Sequence, residues 1–593
     1  MKQHLPAILL LAACCTALTA CTGQTAPPPE PPESAPISSA EPAAAESAEP
    51  FDACGMHFSA KSGFYETGFS LTVTASDGVR IYYTTDGSEP TANSTLYTAP
   101  IEIADRSAEP NTLSARTDIA PDTSEPPVAA PESPVDKATV LRFTAVGADG
   151  VASPVVTNTY FIGYGTKNAY YRDLKVFSLV TDAQNLYDRS TGIFVLGDVY
   201  DNWKSSAEYD PETPPWSTPA NYTQSGRAWE RPACLQIFGQ NGIELSQDIG
   251  IRVHGGATRS YAQKSLNIYA RKDYSSGKLT NDLFSGTVTD ASGQPLTEFD
   301  TFMIRNGGND AMFTRFRDKL NQALSADRAF LTQGMSPCIV FLNGEYWGHY
   351  EITEKLDAAF IHAHTGIPKK NICIVKKEAL DAGSEETFAQ WEKLRGWIRT
   401  TDFSDPARYE QLCGYIDMQS FMDYVSAELY INNANWDKSN MAMWRCEDAD
   451  DSSPYADGKW RFIMFDTDYS TGIYGEALAS EDSFAKLEKS GCFLAELLAA
   501  ACQNDSFRQQ FRTTFLEIAE QNFGAQRVSG MIDRLAEDYH DLTIDTYQRF
   551  WSESPGGADA EEHYAREVES VRQFFRMRAQ YMKQYLDQHI EAP

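Results

Sequence analysis

The chain has 593 residues and a mass of 65.8 kDa, so it is too long for one ordinary hydrophobic core. Its hydrophobic content of 42% and aromatic content of 12% predict globular domains. Its formal net charge of −32 argues against a nucleic-acid partner, because no basic face stands out to meet phosphates. The acidic surface favours solubility and could also attract basic partners.

The first residues predict an exported protein. The stretch MKQHLPAILLLAACCTALTAC has a basic start, an apolar run too short to span a bilayer, and small residues before Cys21. Its end, LTAC, resembles the lipobox of bacterial lipoproteins, which implies that Cys21 is diacylated. We interpret residues 1–20 as a signal peptide and residues 21–56, rich in Pro, Glu, Ala and Ser, as a disordered tether. The expected location is the extracellular face of the bacterial cell membrane, with the lipid as the only membrane contact. A plain secretory signal is the alternative.

Residues 57–163 predict a small all-β sandwich, because short runs such as FSLTVTA, VRIYYTTDG and VVTNTYFIG alternate between apolar and polar residues. The stretch IYYTTDGSEPTANSTLYTAPIEI resembles chitobiase C-terminal-like and fibronectin-III-associated domains, which are accessory modules of surface proteins. That resemblance implies placement at a surface, where the module could contact cell wall or polysaccharide. Residues 119–136, rich in Pro, Ser, Ala and acids, predict a disordered insert in this domain.

Beyond residue 165 the pattern becomes mixed, and we predict a β-rich lobe over residues 168–370 and a helical lobe over residues 371–593. Strands are predicted at DLKVFSLVTD, TGIFVLGDVY, ACLQIFGQNG and IGIRVHG, and TRFRDKLNQALSAD has helical spacing. The strongest hairpin signal is SPCIVFLNGEYWGHYEITEK, where two β-patterned runs flank Asn343-Gly344. The predicted fold class is α+β.

Two segments of the helical half combine into a candidate phosphoryl-transfer site. FDTDYSTG places Asp466 and Asp468 after an apolar strand, and carboxylate oxygens suit Mg²⁺ or Mn²⁺. NWDKSN, earlier in the chain, offers Asp437 as a proton acceptor and Asn440 as a metal ligand. Each segment alone could be an ordinary turn or cap. Their order is that of the parts in protein-kinase-like phosphoryl transfer.

Lys264 lies in phase with Leu266 and Ile268 within IRVHGGATRSYAQKSLNIYARK. A lone ammonium on a buried strand face requires a strand end or an anionic partner. We interpret Lys264 as facing the cleft, where it would neutralise nucleotide phosphates, with a carboxylate from a nearby helix holding it. Gly255 and Gly256 would let backbone amides approach those phosphates, although a hairpin turn would contain them too.

From about Tyr170 to Tyr585 the chain resembles the spore-coat CotH kinase family, a group of atypical protein kinases. The matching landmarks are GIRVHGGATRSYAQKS, FMIRNGGNDAMFTRFRDKL, LNGEYWGHYEITEKLD, NWDKSNMAMWR and KWRFIMFDTDYSTG. The resemblance implies a two-lobed protein-kinase-like domain, ATP with Mg²⁺ or Mn²⁺, and transfer of the γ-phosphoryl group to Ser or Thr of protein substrates. Given the acidic surface, a basic Ser-rich substrate is expected.

The resemblance also implies roles for single residues. It makes Lys264 and Asp437 catalytic, with Asp318 as the partner of Lys264. The implied metal ligands are Asn440, Asp466 and, as a weaker candidate, Asp468. The other implied nucleotide contacts are Arg252, Gly255, Gly256, Arg259 and Glu354, the last at the adenine-side hinge.

One spacing departs from the kinase pattern. Kinase catalytic loops place the Asp five residues before the metal Asn. Here Asp437 lies three residues before Asn440, and the position five before it is Asn435, whose amide cannot act as a general base. Either the loop is shorter and Asp437 serves, or the chain is a pseudokinase that works as a cell-surface binding, adhesion or scaffold lipoprotein.

Two further interpretations concern residues in or near the family landmarks. Arg305 and Asp310 belong to one landmark and are expected to give structural support. His362 and His364 could be metal ligands, but a polar loop after the hairpin is the simpler interpretation.

Overall fold

The computed structural model describes residues 49–124, 126–164, 170–437, 439–551, 554–557 and 559–592. These residues form one compact unit with α+β structure, as predicted. The predicted signal peptide, Cys21 and residues 22–48 of the tether lie outside the described residues, so the interpretations of these residues stay predictions. Among the helices of the described ranges, none is long and apolar enough to cross a membrane.

The N-terminal module packs three small β-sheets around one core, which contains Phe58, Leu141 and Phe143. Its strands are β1 (Phe51–Ala53), β2 (Met56–Phe58), β3 (Gly63–Tyr65), β4 (Phe69–Leu71), β5 (Val73–Ala75), β6 (Arg80–Thr84), β7 (Thr95–Leu96), β8 (Ile101–Ile103), β9 (Thr139–Val146) and β10 (Val156–Ile162). The tether prediction is wrong at its C-terminal end. β1 pairs with β2, and the rings of Phe51 and Phe58 stack at 4.8 Å, so burial of aromatic surface orders this segment.

The β-rich lobe is a closed seven-stranded sheet in the order β11-β12-β13-β14-β17-β20-β19, with β19 parallel to β11. Its strands are β11 (Lys175–Val180), β12 (Arg231–Gly239), β13 (Gly242–Val253), β14 (Leu266–Tyr269), β17 (Thr301–Arg305), β19 (Met335–Leu342) and β20 (Glu345–Glu354). Two short strands, β15 (Leu279–Thr280) and β16 (Glu298–Phe299), form a separate pair. The helices of this region are α1 (Tyr170–Asp173), α2 (Ala183–Tyr187), α3 (Gly197–Lys204) and α4 (Arg317–Ser325).

Two local predictions have opposite outcomes in this lobe. The hairpin is confirmed: Asn343 and Gly344 have φ of 46° and 86°, the left-handed values that a two-residue hairpin turn needs. The strand predicted at TGIFVLGDVY is wrong. Phe194 donates its N–H to the carbonyl of Leu186, 2.9 Å away, and the chain then enters α3, so its apolar residues are buried by a turn rather than by a sheet.

The helical lobe surrounds a second five-stranded sheet in the order β18-β24-β23-β21-β22. Its strands are β18 (Leu331–Thr332), β21 (Ile372–Lys376), β22 (Ala379–Ala382), β23 (Ala442–Cys446) and β24 (Arg461–Met464). Its helices are α5 (Ala358–Thr365), α6 (Glu385–Thr400), α7 (Pro406–Tyr415), α8 (Met418–Ile431), α9 (Ser483–Ser490), α10 (Phe493–Ala501), α11 (Asp505–Gln521), α12 (Ala525–Trp551) and α13 (Ala560–His589).

The two lobes do not separate at residue 371. β18 joins the second sheet, and the end of α12 returns to the first lobe, where Phe550 is fully buried against Trp347. The hydrophobic surface of the closed sheet is therefore completed by the C-terminal part of the chain.

The insert predicted to be disordered is built into the molecule, apart from residue 125, which the structure does not describe. Ile119 is fully buried in the core of the β-rich lobe, and Ala129 donates its N–H to the carbonyl of Phe550, 3.2 Å away. Composition alone predicted too little apolar burial because the surface that covers this segment belongs to the other domain.

The buried carboxylate of Glu345, at the start of β20, fixes the module to the lobe. It accepts hydrogen bonds from the backbone N–H groups of Thr112, Leu113 and Ser114, at 2.8, 3.2 and 2.7 Å, and from the hydroxyl of Ser114 at 2.6 Å. A carboxylate that accepts several bonds at a buried position is a strong and orientation-specific contact.

We predict that Glu345→Gln lowers the free energy of unfolding of the full chain by about 1–3 kcal/mol, because an amide cannot accept all four bonds. Chemical denaturation measures this difference. The control is Glu109→Gln, which removes a half-exposed ion pair with Arg106 and should have little effect. Equal stability of both variants would contradict the assigned anchor.

Candidate active site

Three aspartates meet at the boundary between the two lobes. Asp318 lies in the first turn of α4, and Asp466 and Asp468 follow β24. One carboxylate oxygen of each lies within 4.8 Å of those of the other two. The sequence predicted Asp466 and Asp468 at this strand end, and the structure adds Asp318 to the same cluster rather than to Lys264.

Arg305, at the end of β17, is the cation that holds this triad together. Its guanidinium contacts Asp318 and Asp466 and donates to Asp468 Oδ2 at 3.0 Å. Burial opposes its charge, but the three carboxylates outweigh this effect and raise the pKa of Arg305 above its usual value. The structural role expected for Arg305 is thus an electrostatic role at the centre of the site.

Asp468 is the most deeply buried member, and the loop after β17 is shaped around it. Asn309 donates to it twice, from its backbone N–H at 3.2 Å and from Nδ2 at 2.7 Å. Gly308 has a φ of 61°, and a side chain there would lie 1.7 Å from Asp468 Oδ2, so glycine is required. Burial and the neighbouring charge of Asp466 raise the pKa of Asp468 well above its usual value.

Asp466 is the accessible member, because 40% of its side chain is exposed whereas Asp468 is almost fully buried. Its φ of 57° turns the chain sharply after β24. Asn440 donates its Nδ2 to the carbonyl of Asp466 at 3.1 Å and to Asn435 Oδ1 at 2.9 Å, bonds that do not use its own Oδ1. Asp437 lies partly exposed in the turn between Asn435 and Asn440. The structure therefore brings together the two segments that the sequence paired.

Lys264 does not face the cleft, so that interpretation is wrong. Its side chain is fully buried, and its Nζ donates to the carbonyls of Ile119, Arg259 and Tyr261 at 2.8, 2.8 and 2.9 Å. It also lies 3.8 Å from the ring centre of Tyr222. The buried amino group of Lys264 is therefore stabilised by carbonyl dipoles and an aromatic face, and Asp318 is not its partner.

The glycine turn after β13 is held by its own arginine. Gly255 has a φ of 107°, which favours glycine, and a side chain at Gly256 would meet open space. Arg259 donates to the carbonyl of Gly255 at 2.6 Å and to those of Thr223 and Gln224 at 2.9 Å. Its Nε and Nη1 donors bind these carbonyls, so Arg259 acts here as a brace for the loop.

Cations surround His254, next to the glycine turn. Burial lowers the pKa of His254 to about 3, and four surrounding cations add to this effect. They are Arg305, Lys376, Arg259 and Lys355. Arg252 and Lys355 also share the ring of Tyr269, at 4.9 and 5.7 Å from its centre. Such a cluster beside a carboxylate triad suits a polyanion such as a nucleotide triphosphate.

Glu354 has no free hydrogen-bonding group on its backbone. Its N–H donates to the carbonyl of Gly334 at 3.1 Å, its carbonyl accepts from Gln333 at 2.5 Å, and its carboxylate lies 2.9 Å from His364. These contacts favour a structural role for Glu354 over the predicted contact with adenine. The loop predicted at His362 and His364 is also wrong, since both lie in α5. The remaining predicted structural residue, Asp310, is buried and pairs with Arg317 at 2.9 Å.

Glu428, near the end of α8, is a functional candidate that the sequence reasoning missed. It is fully buried, and it accepts from Asn433 Nδ2 at 3.0 Å, while its Oε1 has no hydrogen-bond partner among the described residues. Asn433 Oδ1 in turn accepts the N–H of Asn435 at 3.3 Å. This chain of contacts supports the loop that carries Asp437 and Asn440. Burial and the charge of Asp318 raise the pKa of Glu428 to about 8, although the bond from Asn433 opposes the shift.

Comparisons with known proteins give two family matches. The family described as CotH kinase protein matches residues 251–582, more than half of the chain. The chain belongs to the CotH kinase protein family. The family described as Fn3 associated matches residues 69–160, within the N-terminal module. No curated protein matches this chain. The family membership supports a kinase-like protein, with a divalent metal and ATP as the cofactors that such a fold suggests.

Lys264 was assigned wrongly from the sequence, and the contacts of Arg305 with the three acids were missed, for one reason. Arg305 is the last residue of β17, and Lys264 lies just before β14 of the same sheet. Strand periodicity does not reveal which of the two contacts a carboxylate. The signal that could have found Arg305 is the glycine pair that follows it, because Gly307 and Gly308 both need positive φ and allow Asp468 to approach closely.

We predict that Lys264→Met lowers the free energy of unfolding by roughly 1–3 kcal/mol, because three buried carbonyls lose their donor. Denaturation of the full chain tests this, with the exposed Lys204→Met as the control. An unchanged stability together with loss of nucleotide binding would instead restore the phosphate-binding role for Lys264.

We predict that Glu428 makes stability depend on pH. Because its pKa is raised from 4.5 to about 8 in the folded protein, the folded state binds the extra proton in this window and stability falls as pH rises through it. The wild-type free energy of unfolding should fall, relative to Glu428→Gln, by about 1.4 kcal/mol per pH unit. Parallel curves for the two proteins across the window would contradict the assignment.

Proposed function

We propose that this chain is an atypical Ser/Thr protein kinase that transfers the γ-phosphoryl group of ATP to protein substrates. The observation that carries the proposal is the aspartate triad around Arg305, next to the loop of Asp437 and Asn440. In protein kinases a cation on a strand pairs with an acid on a helix beside the metal Asp. Here Arg305 on β17 and Asp318 on α4 form such a pair, in contact with Asp466.

The donor set suits Mg²⁺ or Mn²⁺, which prefer hard oxygen ligands. Asp466, which is partly exposed, and the Oδ1 of Asn440 would hold the ion. Asp468 accepts a hydrogen bond from Asn309, and Asp318 contacts Thr467 and Arg305. These two inner acids would lie behind Asp466 and help to orient the ion. When bound, the ion would neutralise charge on the phosphates and align them.

The chain's own residues supply the remaining functions. Arg252, Lys355 and Lys376 would offset the phosphate charge. The acceptor hydroxyl oxygen would form a bond to the γ-phosphorus, and the bond from that phosphorus to the bridging oxygen would break, with its electron pair leaving on ADP. Asp437 would take the hydroxyl proton, and Arg305 keeps Asp466 in place.

The alternative is a pseudokinase that serves in surface binding or as a scaffold. The contact between Asn435 Oδ1 and Asn440 Nδ2, 2.9 Å long, favours it, because an amide occupies the position five residues before the metal Asn. In both readings we propose that the lipid on Cys21 displays the protein at the cell surface, where the N-terminal module could contact wall polymers and basic Ser-rich proteins could be substrates.

We predict that Asp466→Asn reduces metal-dependent phosphoryl transfer by the full chain at least about a hundredfold, since one of the principal metal charges is lost. Incorporation of labelled phosphate with Mg²⁺ or Mn²⁺ measures this, with the exposed Asp451→Asn as the matched control. If wild type binds ATP with metal but transfers no phosphoryl group, and Asp437→Asn leaves ATP binding unchanged, the pseudokinase alternative holds. No nucleotide binding by wild type would contradict the kinase proposal and leave the surface-binding alternative.

A further inference from the structure

A cavity of about 680 Å³ opens beside the aspartate triad. It is lined by parts of the chain that are far apart in sequence: the insert of the N-terminal module, a loop around Trp216, the segment after the glycine turn, and the loop after Asp468. Asn309 lines it and also donates twice to Asp468. The cavity therefore shares a wall with the site of the proposed transfer, which is the place an acceptor must reach.

The chemistry of its lining differs from that of the site beside it. None of the described residues that line the cavity has a charged side chain, although the whole chain has a net charge of −32. The lining includes Pro126, Val128, Trp216, Tyr261, Met312 and Tyr474. Such a surface favours apolar and aromatic side chains or proline and gives no ion-pair partner to a charged one.

The cavity is held in shape by the contacts that fix the glycine turn. Lys264 binds the carbonyls of Ile119, from the insert, and of Tyr261, from the cavity wall. The hydroxyl of Tyr474 donates to the carbonyl of Asn309 at 2.9 Å and lies 3.5 Å from that of Tyr261. These contacts join the module, the glycine turn and the loop after Asp468, so the wall is pre-organised and keeps the cost of ordering low.

The nucleotide has a better place nearby. The residues just before the glycine turn, Arg252 and His254, lie among cations, whereas Ala257, Ser260, Tyr261 and Ala262, which follow the turn, line the cavity. Phosphates are bound most strongly by charged groups, and no charged side chain is present among the described residues that line this cavity. The contrast assigns the cationic side to ATP and leaves the cavity for the acceptor.

We propose that this cavity binds the acceptor polypeptide and takes a proline, aromatic or aliphatic side chain that flanks the phosphorylated Ser or Thr. The inference rests on the proposed kinase function and names the substrate class for it. It also gives the insert of the N-terminal module a role in substrate selection, because residues of that insert form one wall.

The test compares short synthetic peptides that contain one serine flanked by proline or phenylalanine, by arginine, or by aspartate. The full chain should phosphorylate the first group best. Trp216→Ala should raise the peptide KM at least about tenfold, the effect of losing one aromatic anchor, and leave the KM for ATP unchanged. Thr123→Asp, at an exposed position of the same wall, should improve the arginine-flanked peptides relative to the others.

The matched control is Tyr415→Ala, which removes a half-exposed aromatic ring that does not line this cavity. Its peptide KM should equal that of wild type. Unchanged peptide KM in Trp216→Ala, with transfer intact, would overturn the inference while the kinase function stands. A raised KM for ATP instead would show that the cavity holds the base of the nucleotide and would also overturn it. No transfer by wild type to any peptide, with nucleotide bound, would count against the kinase function itself.

Discussion

The buried guanidinium of Arg305 is the constraint on which the site depends. It brings three carboxylates from two lobes into contact, and without it their mutual repulsion at a buried position would be costly. The arrangement leaves Asp466 exposed while Asp468 and Asp318 are withdrawn. Arg305 thus leaves the outer acid, Asp466, in a position where it can bind a metal. The two inner acids would help to orient that ion.

Lys264 is a second buried basic residue, and it connects parts of the chain that are distant in sequence. Its three donors are all satisfied by main-chain carbonyls, and one of these belongs to the insert of the N-terminal module. Lys264 thereby connects the glycine turn to the N-terminal module, which from its sequence alone resembles an accessory domain. Together with the carboxylate of Glu345, this makes the module part of the kinase-like body instead of a tethered neighbour.

Charge is distributed unevenly between the aspartate triad and the cavity beside it. The chain as a whole is strongly acidic, yet cations gather beside the triad and no charged side chain is present among the described residues of the adjoining cavity. A polyanionic nucleotide and an uncharged stretch of polypeptide would each find a suited surface. The acidic exterior then affects long-range attraction, and the local lining affects which residue next to the serine is accepted.

The sequence by itself determined the features that depend on local backbone preference and periodicity. It located the Asn343-Gly344 hairpin, the helix at Arg317–Ser325, the acids after β24 and the membership of a kinase-like family, because turn chemistry and burial patterns act over a few residues. The tertiary structure decided which charged groups meet. Arg305 and Asp466 are 161 residues apart, and Lys264 and Ile119 are 145 apart. Strand periodicity indicates that a side chain is buried but not which group lies opposite it. The partner of each buried charge, and the ordered conformation of the described part of residues 119–136, were therefore determined only by packing between distant segments.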